Sequence, residues 1–378
     1  MDVALARPDV ARLVWAHPPG AAQLYVAAQS ELYPTLRELV LWVPLCAGAL
    51  LAGKVAVETW VLRPLARAAL PGLKGGALPF VSPALEEAYR AHRPQLPDIN
   101  AVKQLSGRVG KPVEELNRWF RAREAGDREQ VRVRGCAESL FRLVAYGCVL
   151  AYNVWVLRGA GAAWARGGPA LWEGLPLQES DFAARALFVC LQLPLYVVLL
   201  LAQVTDGRRA RDMWEMTAHH VLVLALLSTV YLGNFLRIGM LGLVLHDVTD
   251  LLLEASKLAN LFKQRGLADA LFFAFAASWA YSRLYRFSQL VLSAVVAGEG
   301  GRVIGPILNA LYAMIGLLFV LNLYWFKKIG SLLYRLLWAG AGKERAQREN
   351  TDLSTDDDVD SDSSYMSDAD AVAKRHQD

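Results

Sequence analysis

The sequence predicts an all-α polytopic membrane protein with about seven transmembrane helices and a small cytoplasmic helix-turn-helix insert. Three observations lead to this prediction. Of the 378 residues, 54% are hydrophobic, and the mean hydropathy is +0.26. Several apolar runs approach the roughly 20 residues that a helix needs to cross a bilayer. Basic residues gather in clusters that lie between these runs.

The candidate spans can be justified in chain order. They are 39–62, 140–157, 183–204, 217–231, 238–262, 267–291 and 304–326. The first contains Lys54 and Glu58, and the fourth reaches full length only if it begins near Asp212. Because 1–38 lacks the apolar core of a cleavable signal peptide, we expect 39–63 to be the first membrane anchor.

The distribution of basic residues predicts how the spans are oriented. The clusters are 118–134, 208–211, 263–265 and 327–328. Seven spans with the amino terminus outside put all of these clusters on the cytoplasmic side, in agreement with the positive-inside rule. An even number of spans would break this pattern, so the charges favour seven.

The polar segment 94–134 between the first two spans predicts two short helices. Asp98 is suited to cap a helix running toward Leu105, and the stretch SGRVGKP is typical of a turn. Pro112 suits the first turn of a second helix, which we expect to direct Trp119 and Phe120 inward. The outline is that of a helix-turn-helix.

The stretch NRWFRAREAGD within this insert resembles the recognition helix of a homeodomain. Ala122 occupies the position where the homeodomain pattern has the asparagine that reads adenine. The pattern also gives no first helix between 64 and 97. We therefore expect no DNA partner, and a basic module that packs near the membrane surface or binds anionic headgroups.

A second set of polar residues stands out because it interrupts the apolar sequence of two predicted spans. His219 and His220 head the fourth span, and five further residues follow in the fifth: His246, Asp247, Asp250, Glu254 and Lys257. Each ionised side chain near the bilayer centre costs roughly 2.5 to 3.5 kcal/mol, so these residues should face one another or a wet cavity.

The geometry of two helices supports such a cluster. One straight helix from 219 to 250 would be roughly 46 Å long, which exceeds a hydrocarbon core of about 30 Å. We therefore expect a turn at Gly233 and Asn234. Folding about this turn brings His220 level with Asp250 and leaves His219 close to the same depth.

The residues alone leave four interpretations open. Histidines and carboxylates are good metal ligands, although a membrane di-iron enzyme would repeat histidine boxes over several segments. A proton or ion pathway uses intramembrane acids and bases. Acyl transfer can use imidazole as a base or nucleophile beside a carboxylate. A buried polar network that only holds two helices together is the fourth.

Three stretches together carry a resemblance to a known family. The histidine pair at 219–220, NFLRIG from 234 and LHDVTDLLLEASKLANL from 245 resemble the Lag1 motif of ceramide synthases, within the TLC-domain family. The resemblance implies a catalytic membrane domain over 135–330, with the homeodomain-like insert over 94–134 and a lumenal segment over 1–38. It implies an enzyme of the endoplasmic reticulum membrane that transfers a fatty acyl group from acyl-CoA to the amine of a sphingoid base.

The resemblance also assigns residues. His219 and His220 match the essential histidine pair, and Asp247 and Asp250 match the essential aspartates. The positions that would contact substrate are Asn234, Arg237, His246, Glu254, Lys257 and Arg283. No cofactor or metal is implied. Two departures from the family pattern bear on how substrate fits. Val223 stands where a threonine is usual, and RLYRFSQL lacks the proline that commonly follows the arginine of the family.

The remaining expectations concern partners and the tail. Arg208, Arg209 and Arg211 precede the histidines and either meet CoA phosphates or serve as positive-inside anchors. The acidic, serine-rich segment 343–378 predicts a disordered cytoplasmic tail. Candidate phosphorylation sites in it are Ser354, Thr355 and Ser367, because each is followed three residues later by an acid, the pattern that acidophilic kinases favour. The resemblance allows a homo- or heterodimer. The alternative function is a non-catalytic lipid-binding or transport protein of the same family.

Overall fold

The computed structural model describes residues 34–73, 78–92, 96–159, 171, 182–205, 213–296 and 305–338, and the regular structure within these ranges is helical. We number the longer helices in chain order. They are α1 (Leu36–Ala69), α2 (Pro83–His92), α3 (Ile99–Val109), α4 (Val113–Gly159), α5 (Phe182–Thr205), α6 (Met213–Leu232), α7 (Leu236–Leu261), α8 (Arg265–Trp279, Ala280–Arg286 and Phe287–Val296) and α9 (Gly305–Trp338). The predicted all-α fold class is confirmed.

Five of these helices, α1, α4, α5, α6 and α9, are long and apolar enough to cross a membrane. They contain five of the predicted spans, and α6 begins at Met213, next to the start that the fourth span needed. The other two predicted spans are helical as α7 and α8, but charged residues interrupt their apolar sequence. A total of seven spans stays a prediction.

Helix α1 begins with a capping box between Thr35 and Glu38. The Glu38 amide donates to Thr35 Oγ1 at 3.2 Å, and the Thr35 amide donates to the Glu38 carboxylate at 2.8 Å.

The charges in the first span pair with each other. Lys54 and Glu58 form an ion pair one turn apart and are both buried. The Lys54 ammonium also lies 5.4 Å from the centroid of the Phe141 ring on α4. A paired, enclosed charge is less costly in a bilayer than a lone one.

The insert is a three-helix module built from α2, α3 and the start of α4. Its core side chains are Leu85, Tyr89, Val102, Leu105, Leu116, Trp119 and Phe120. Asp98 caps α3 by accepting from the Ala101 amide at 2.7 Å, as expected, and Gly110 ends it with φ of 70°. The expectation that no first helix precedes Pro97 was wrong. Helix α2 has a short apolar face that consists mainly of Leu85 and Tyr89, which gives a weak periodic pattern.

The first and third helices of the module are joined by an ion pair. Arg123 Nε lies 2.9 Å from Glu86 Oε2, and its guanidinium lies over the Tyr89 ring. The hydrogen bond from Arg123 lowers the pKa of the Glu86 carboxyl below its ordinary value. Helix α4 then runs on without a break from the module into the membrane span. The predicted boundary at 134 therefore falls within one rigid helix.

Ala122, which corresponds to the adenine-reading asparagine of a homeodomain, faces the connector after α1. Ala122 lines a groove together with Gly72, Gly126 and Arg132. Arg132 donates to the carbonyl oxygen of Pro71 at 3.0 Å across this groove. The module therefore presents the corresponding face to the protein's own chain.

Helix α7 lies at the centre of the membrane domain and packs against α4 and α8, whereas α6 packs against α5 and α9. The turn predicted at Gly233 and Asn234 joins α6 to α7, and Asn234 has a left-handed φ of 58°. A Cβ on Gly239 would lie 2.5 Å from Val230 Cγ1, so the two helices approach too closely just after the turn for any larger residue.

Candidate active site

A cavity opens between α6, α7, α8 and α9, with one wall from α5. Its volume is about 760 Å³ including the open mouth. The polar residues of its lining are Tyr196, His219, His246, Asp250 and Arg283. Most other lining residues are apolar, among them Leu226, Val230, Ile238, Leu311, Ile315 and Leu318. The cavity is therefore amphipathic, with a polar end and a long apolar wall.

His219 brings one member of the histidine pair to the cavity. Its ring meets the Trp325 ring edge to face at 5.0 Å between centroids and lies 5.7 Å from the His220 ring. Its Nδ1 is buried and has no hydrogen-bond partner within the described ranges. An imidazole packed between two rings is fixed in orientation, and only its remaining edge can meet a bound molecule.

His246 is fixed by a hydrogen bond within its own helix. Its Nδ1 lies 2.8 Å from the carbonyl oxygen of Gly242, so Nδ1 carries the proton and donates. The Nε2 of the neutral ring is then a lone pair, and it has no partner among the residues that the structure describes. The Phe287 ring packs edge to face against His246 at 4.9 Å. His246 is therefore oriented as a hydrogen-bond acceptor.

Arg283 joins α8 to the polar face of α7. It forms an ion pair with Asp250, and Nε donates to Thr249 Oγ1 at 2.7 Å. Nη2 also donates to the carbonyl oxygen of His246 at 3.0 Å. The guanidinium carbon lies 4.0 Å from the centroid of the Trp279 ring, in a cation–π contact. These contacts neutralise the partly buried Asp250 carboxylate and hold it at the cavity wall.

The other members of the predicted histidine and aspartate pairs lie behind this wall. His220 is as buried as His219 but packs against the Tyr196 ring, at 6.0 Å between centroids, and does not line the cavity. Asp247 accepts a hydrogen bond from Gln192 Nε2 at 2.8 Å, with both side chains buried. Of the two aspartates, Asp250 is thus the one that lines the cavity.

The predicted contact residues separate into three groups. His246 and Arg283 line the cavity, whereas Asn234 and Arg237 lie at the α6–α7 turn, near its opposite end. Glu254 and Lys257 form a buried pair at 3.0 Å, which Arg142 of α4 joins at 3.7 Å from Glu254. Neither member of that pair lines the cavity. The CoA candidates Arg208, Arg209 and Arg211 lie outside the described residues, as do Ser354, Thr355 and Ser367.

Four residues of the site were not predicted from the sequence. Gln192 and Tyr196 come from α5, Thr249 from α7, and Trp325 from α9. Gln192 gave a usable signal, because an amide inside the apolar run LFVCLQLPLYVV needs a buried partner. The other three have no unusual sequence context.

Metal binding is one of the chemistries that histidines and carboxylates in this region could support. Within the described ranges, no three side chains of His, Cys, Asp and Glu are arranged to hold a metal ion. The histidines at the cavity instead face rings, a backbone carbonyl and the apolar lining. This geometry suits acid–base or nucleophilic chemistry at the end of an apolar cavity.

Comparison with known proteins gives a consistent result. A family model described as the TLC domain matches residues 136–330. The chain is 30% identical to ceramide synthase 4 of Mus musculus over 317 residues, which cover 82% of this chain and 78% of that protein. It is 29% identical to ceramide synthase 5 of Homo sapiens over 314 residues, with the same coverage. Ceramide synthase LOH2 of Arabidopsis thaliana is 29% identical over 217 residues, 55% of this chain and 71% of that protein.

Proposed function

Because the chain belongs to the TLC-domain family and, within it, is related over most of its length to ceramide synthases, we propose that it transfers a fatty acyl group from acyl-CoA to the amine of a sphingoid base. The observation that carries this proposal is the cavity, in which His219, His246 and Asp250 lie at one end of a long apolar wall. An acyl chain fits the apolar wall, and its carbonyl carbon then lies near the imidazoles.

The dimensions of the cavity support an acyl chain as its occupant. His219 and Val230 both line it and are 11 residues apart on α6, and Asp250 and Ile238 are 12 residues apart on α7. At 1.5 Å per residue these separations are about 16 and 18 Å. An extended alkyl chain advances roughly 1.25 Å per carbon, so these two walls run beside about 13 to 14 carbons of an extended chain.

The chemistry requires a base and a fixed acyl group. A sphingoid amine is cationic at neutral pH and must lose a proton before it attacks a thioester. Asp250 offers a carboxylate to hold that cation, and the lone pair on His246 Nε2 is oriented to accept a proton. In our proposal His219 either takes the proton of the amine or first accepts the acyl group as an acyl-imidazole.

The remaining assignments follow from this reaction. CoA is soluble and highly charged, so we propose that it arrives from the cytoplasm, with Arg208, Arg209 and Arg211 near its phosphates. We place the protein in the endoplasmic reticulum membrane as a multi-pass protein with a cytoplasmic tail. Gln192 holds the Asp247 carboxylate in place by a hydrogen bond behind the cavity wall.

The simplest test of the function uses microsomes from cells that express the protein. They are given sphinganine and a panel of acyl-CoAs, and N-acylated products are identified by mass. We expect an amide product that is absent from control microsomes. Sphinganine uptake or binding without any amide product, at any chain length, would instead favour the lipid-binding or transport alternative.

Chain-length preference gives a more specific prediction. Gly242 lines the cavity eight residues from Asp250, or about 12 Å along α7, a depth of roughly 10 carbons. A Cβ at this position would lie 3.7 Å from Phe287, which is an ordinary contact. We expect Gly242→Val to lower the ratio of activity with 16-carbon to activity with 10-carbon acyl-CoA by about tenfold or more, because the added methyl groups block the deep part of the cavity.

Gly147→Val is the matched control for this experiment. A Cβ on Gly147 would lie 3.8 Å from Leu251, a similar contact, but Gly147 does not line the cavity. The control should keep the chain-length profile of the unmodified protein. An unchanged profile in Gly242→Val, with activity retained, would place the acyl chain elsewhere.

A further inference from the structure

Tyr196 on α5 lies beside the histidine pair and lines the cavity together with His219 and Asp250. Its side chain is 7% exposed. A buried tyrosine hydroxyl normally has a hydrogen-bond partner, but this one makes no hydrogen bond with any residue in the described part of the chain. The hydroxyl is also not among the fully buried atoms that lack a partner. It is therefore accessible from the cavity and available to a bound molecule.

Several other polar groups of the cavity are acceptors or are already bonded. His246 donates through Nδ1 to the Gly242 carbonyl, so its Nε2 is a lone pair. Asp250 as a carboxylate only accepts hydrogen bonds. Arg283 donates through Nε and Nη2 to Thr249, His246 and Asp250. These groups make the cavity rich in acceptors, and the Tyr196 hydroxyl is a neutral donor that their contacts leave uncommitted.

Acyl transfer needs such a donor. When nitrogen attacks the thioester carbonyl, the C–N bond forms and the carbonyl π pair moves to oxygen, which becomes an oxyanion. When this pair returns, the C–S bond breaks and CoA leaves as a thiolate, while the proton on nitrogen passes to an imidazole. A neutral donor aimed at the oxyanion in a site shielded from water stabilises the transition state more than the ground state.

We propose that Tyr196 is a further catalytic residue, whose hydroxyl donates a hydrogen bond to the oxyanion of the acyl thioester and keeps its proton throughout. This role rests on the proposed function, because it requires an acyl thioester in the cavity. The aromatic ring, which packs against His220, positions the hydroxyl next to the pair.

The test is Tyr196→Phe, which removes only the hydroxyl and keeps the ring contact. We expect kcat to fall by about a hundredfold to a thousandfold, as for the loss of one oxyanion donor, with KM for both substrates within about threefold. Tyr231→Phe is the matched control. It also removes a buried hydroxyl, one that donates to Glu38 at 2.7 Å, but Tyr231 does not line the cavity. The Tyr231→Phe variant should therefore retain the kcat of the unmodified protein.

Two outcomes would overturn the proposal. One is Tyr196→Phe with the full kcat of the unmodified protein. The other is that Tyr196→Phe loses activity with sphinganine but not with octadecylamine, an amine that lacks the hydroxyls of sphinganine. The tyrosine would then bind a substrate hydroxyl and not the oxyanion. Should the phenylalanine variant fail to fold, 3-fluorotyrosine at 196 keeps the fold, and its more acidic hydroxyl must then change kcat. The unmodified protein is assayed in parallel, since its own lack of amide product would contradict the proposed function instead.

Discussion

Replacing His219 with alanine is expected to lower acyl transfer by at least about a thousandfold, because the only histidine of the pair that lines the cavity is lost. The effect should fall on kcat, since the apolar wall that binds the acyl chain is unchanged. Rapid-quench labelling with acyl-CoA alone separates the two roles proposed for His219. An acyl-imidazole route leaves acylated enzyme that His219→Ala lacks, whereas a base-only route leaves none in either protein.

Two comparisons make this result interpretable. His92→Ala removes an exposed histidine on α2. Helix α2 contributes no residue to the cavity lining, so activity should be unchanged. His220→Ala should cause a smaller loss than His219→Ala, because the His220 ring supports the wall from behind. Near-normal activity of a folded His219→Ala protein would remove this residue from the mechanism.

The second large effect is expected at Arg283, where both stability and activity depend on one ion pair. Arg283→Met leaves the partly buried Asp250 carboxylate without its partner and breaks the hydrogen bonds to Thr249 and His246. Loss of one member of a fully buried pair costs about 3 to 5 kcal/mol. Because the Asp250 side chain is partly exposed, the cost here should be smaller, but the unfolding temperature in detergent should still drop. Activity should be lost as well, since the polar end of the cavity is no longer fixed.

A double variant separates the two effects. Adding Asp250→Asn to Arg283→Met removes the unpaired charge and should restore much of the unfolding temperature, but not activity, because the carboxylate that holds the amine is gone. Arg286→Met is the control on the same helix, since Arg286 is exposed and its side-chain hydrogen bond within the described ranges is to nearby Gln289. A double variant that regains full activity would contradict the role given to Asp250.

Much of this architecture could be predicted from the sequence because its causes are local. The turn at Gly233 and Asn234 follows from helix length against membrane thickness, and the left-handed Asn234 is a conformation that few residues adopt readily. The Asp98 cap and the end of α3 at Gly110 follow from capping chemistry. Helix α2 was missed because so short an apolar face gives little periodic signal.

The arrangement of the site could be predicted only in part, because it depends on how helices rotate against one another. Periodicity grouped His246 and Asp250 but could not say which histidine of the adjacent pair faces the cavity. In α5, the π-helical stretch Leu187–Gln192 adds a residue to a turn and changes which face follows it. A regular helical period therefore could not place Gln192 beside Asp247 or Tyr196 at the cavity.

The most direct test of acyl transfer by this chain is a product balance with the purified protein in lipid nanodiscs. Palmitoyl-CoA and sphinganine are added, and free CoA thiol and N-acyl product are measured together over time. We expect the two products to appear at equal rates, with both absent when His219 is replaced by alanine. Thiol release without amide, or no product from a folded protein, would contradict the proposed function.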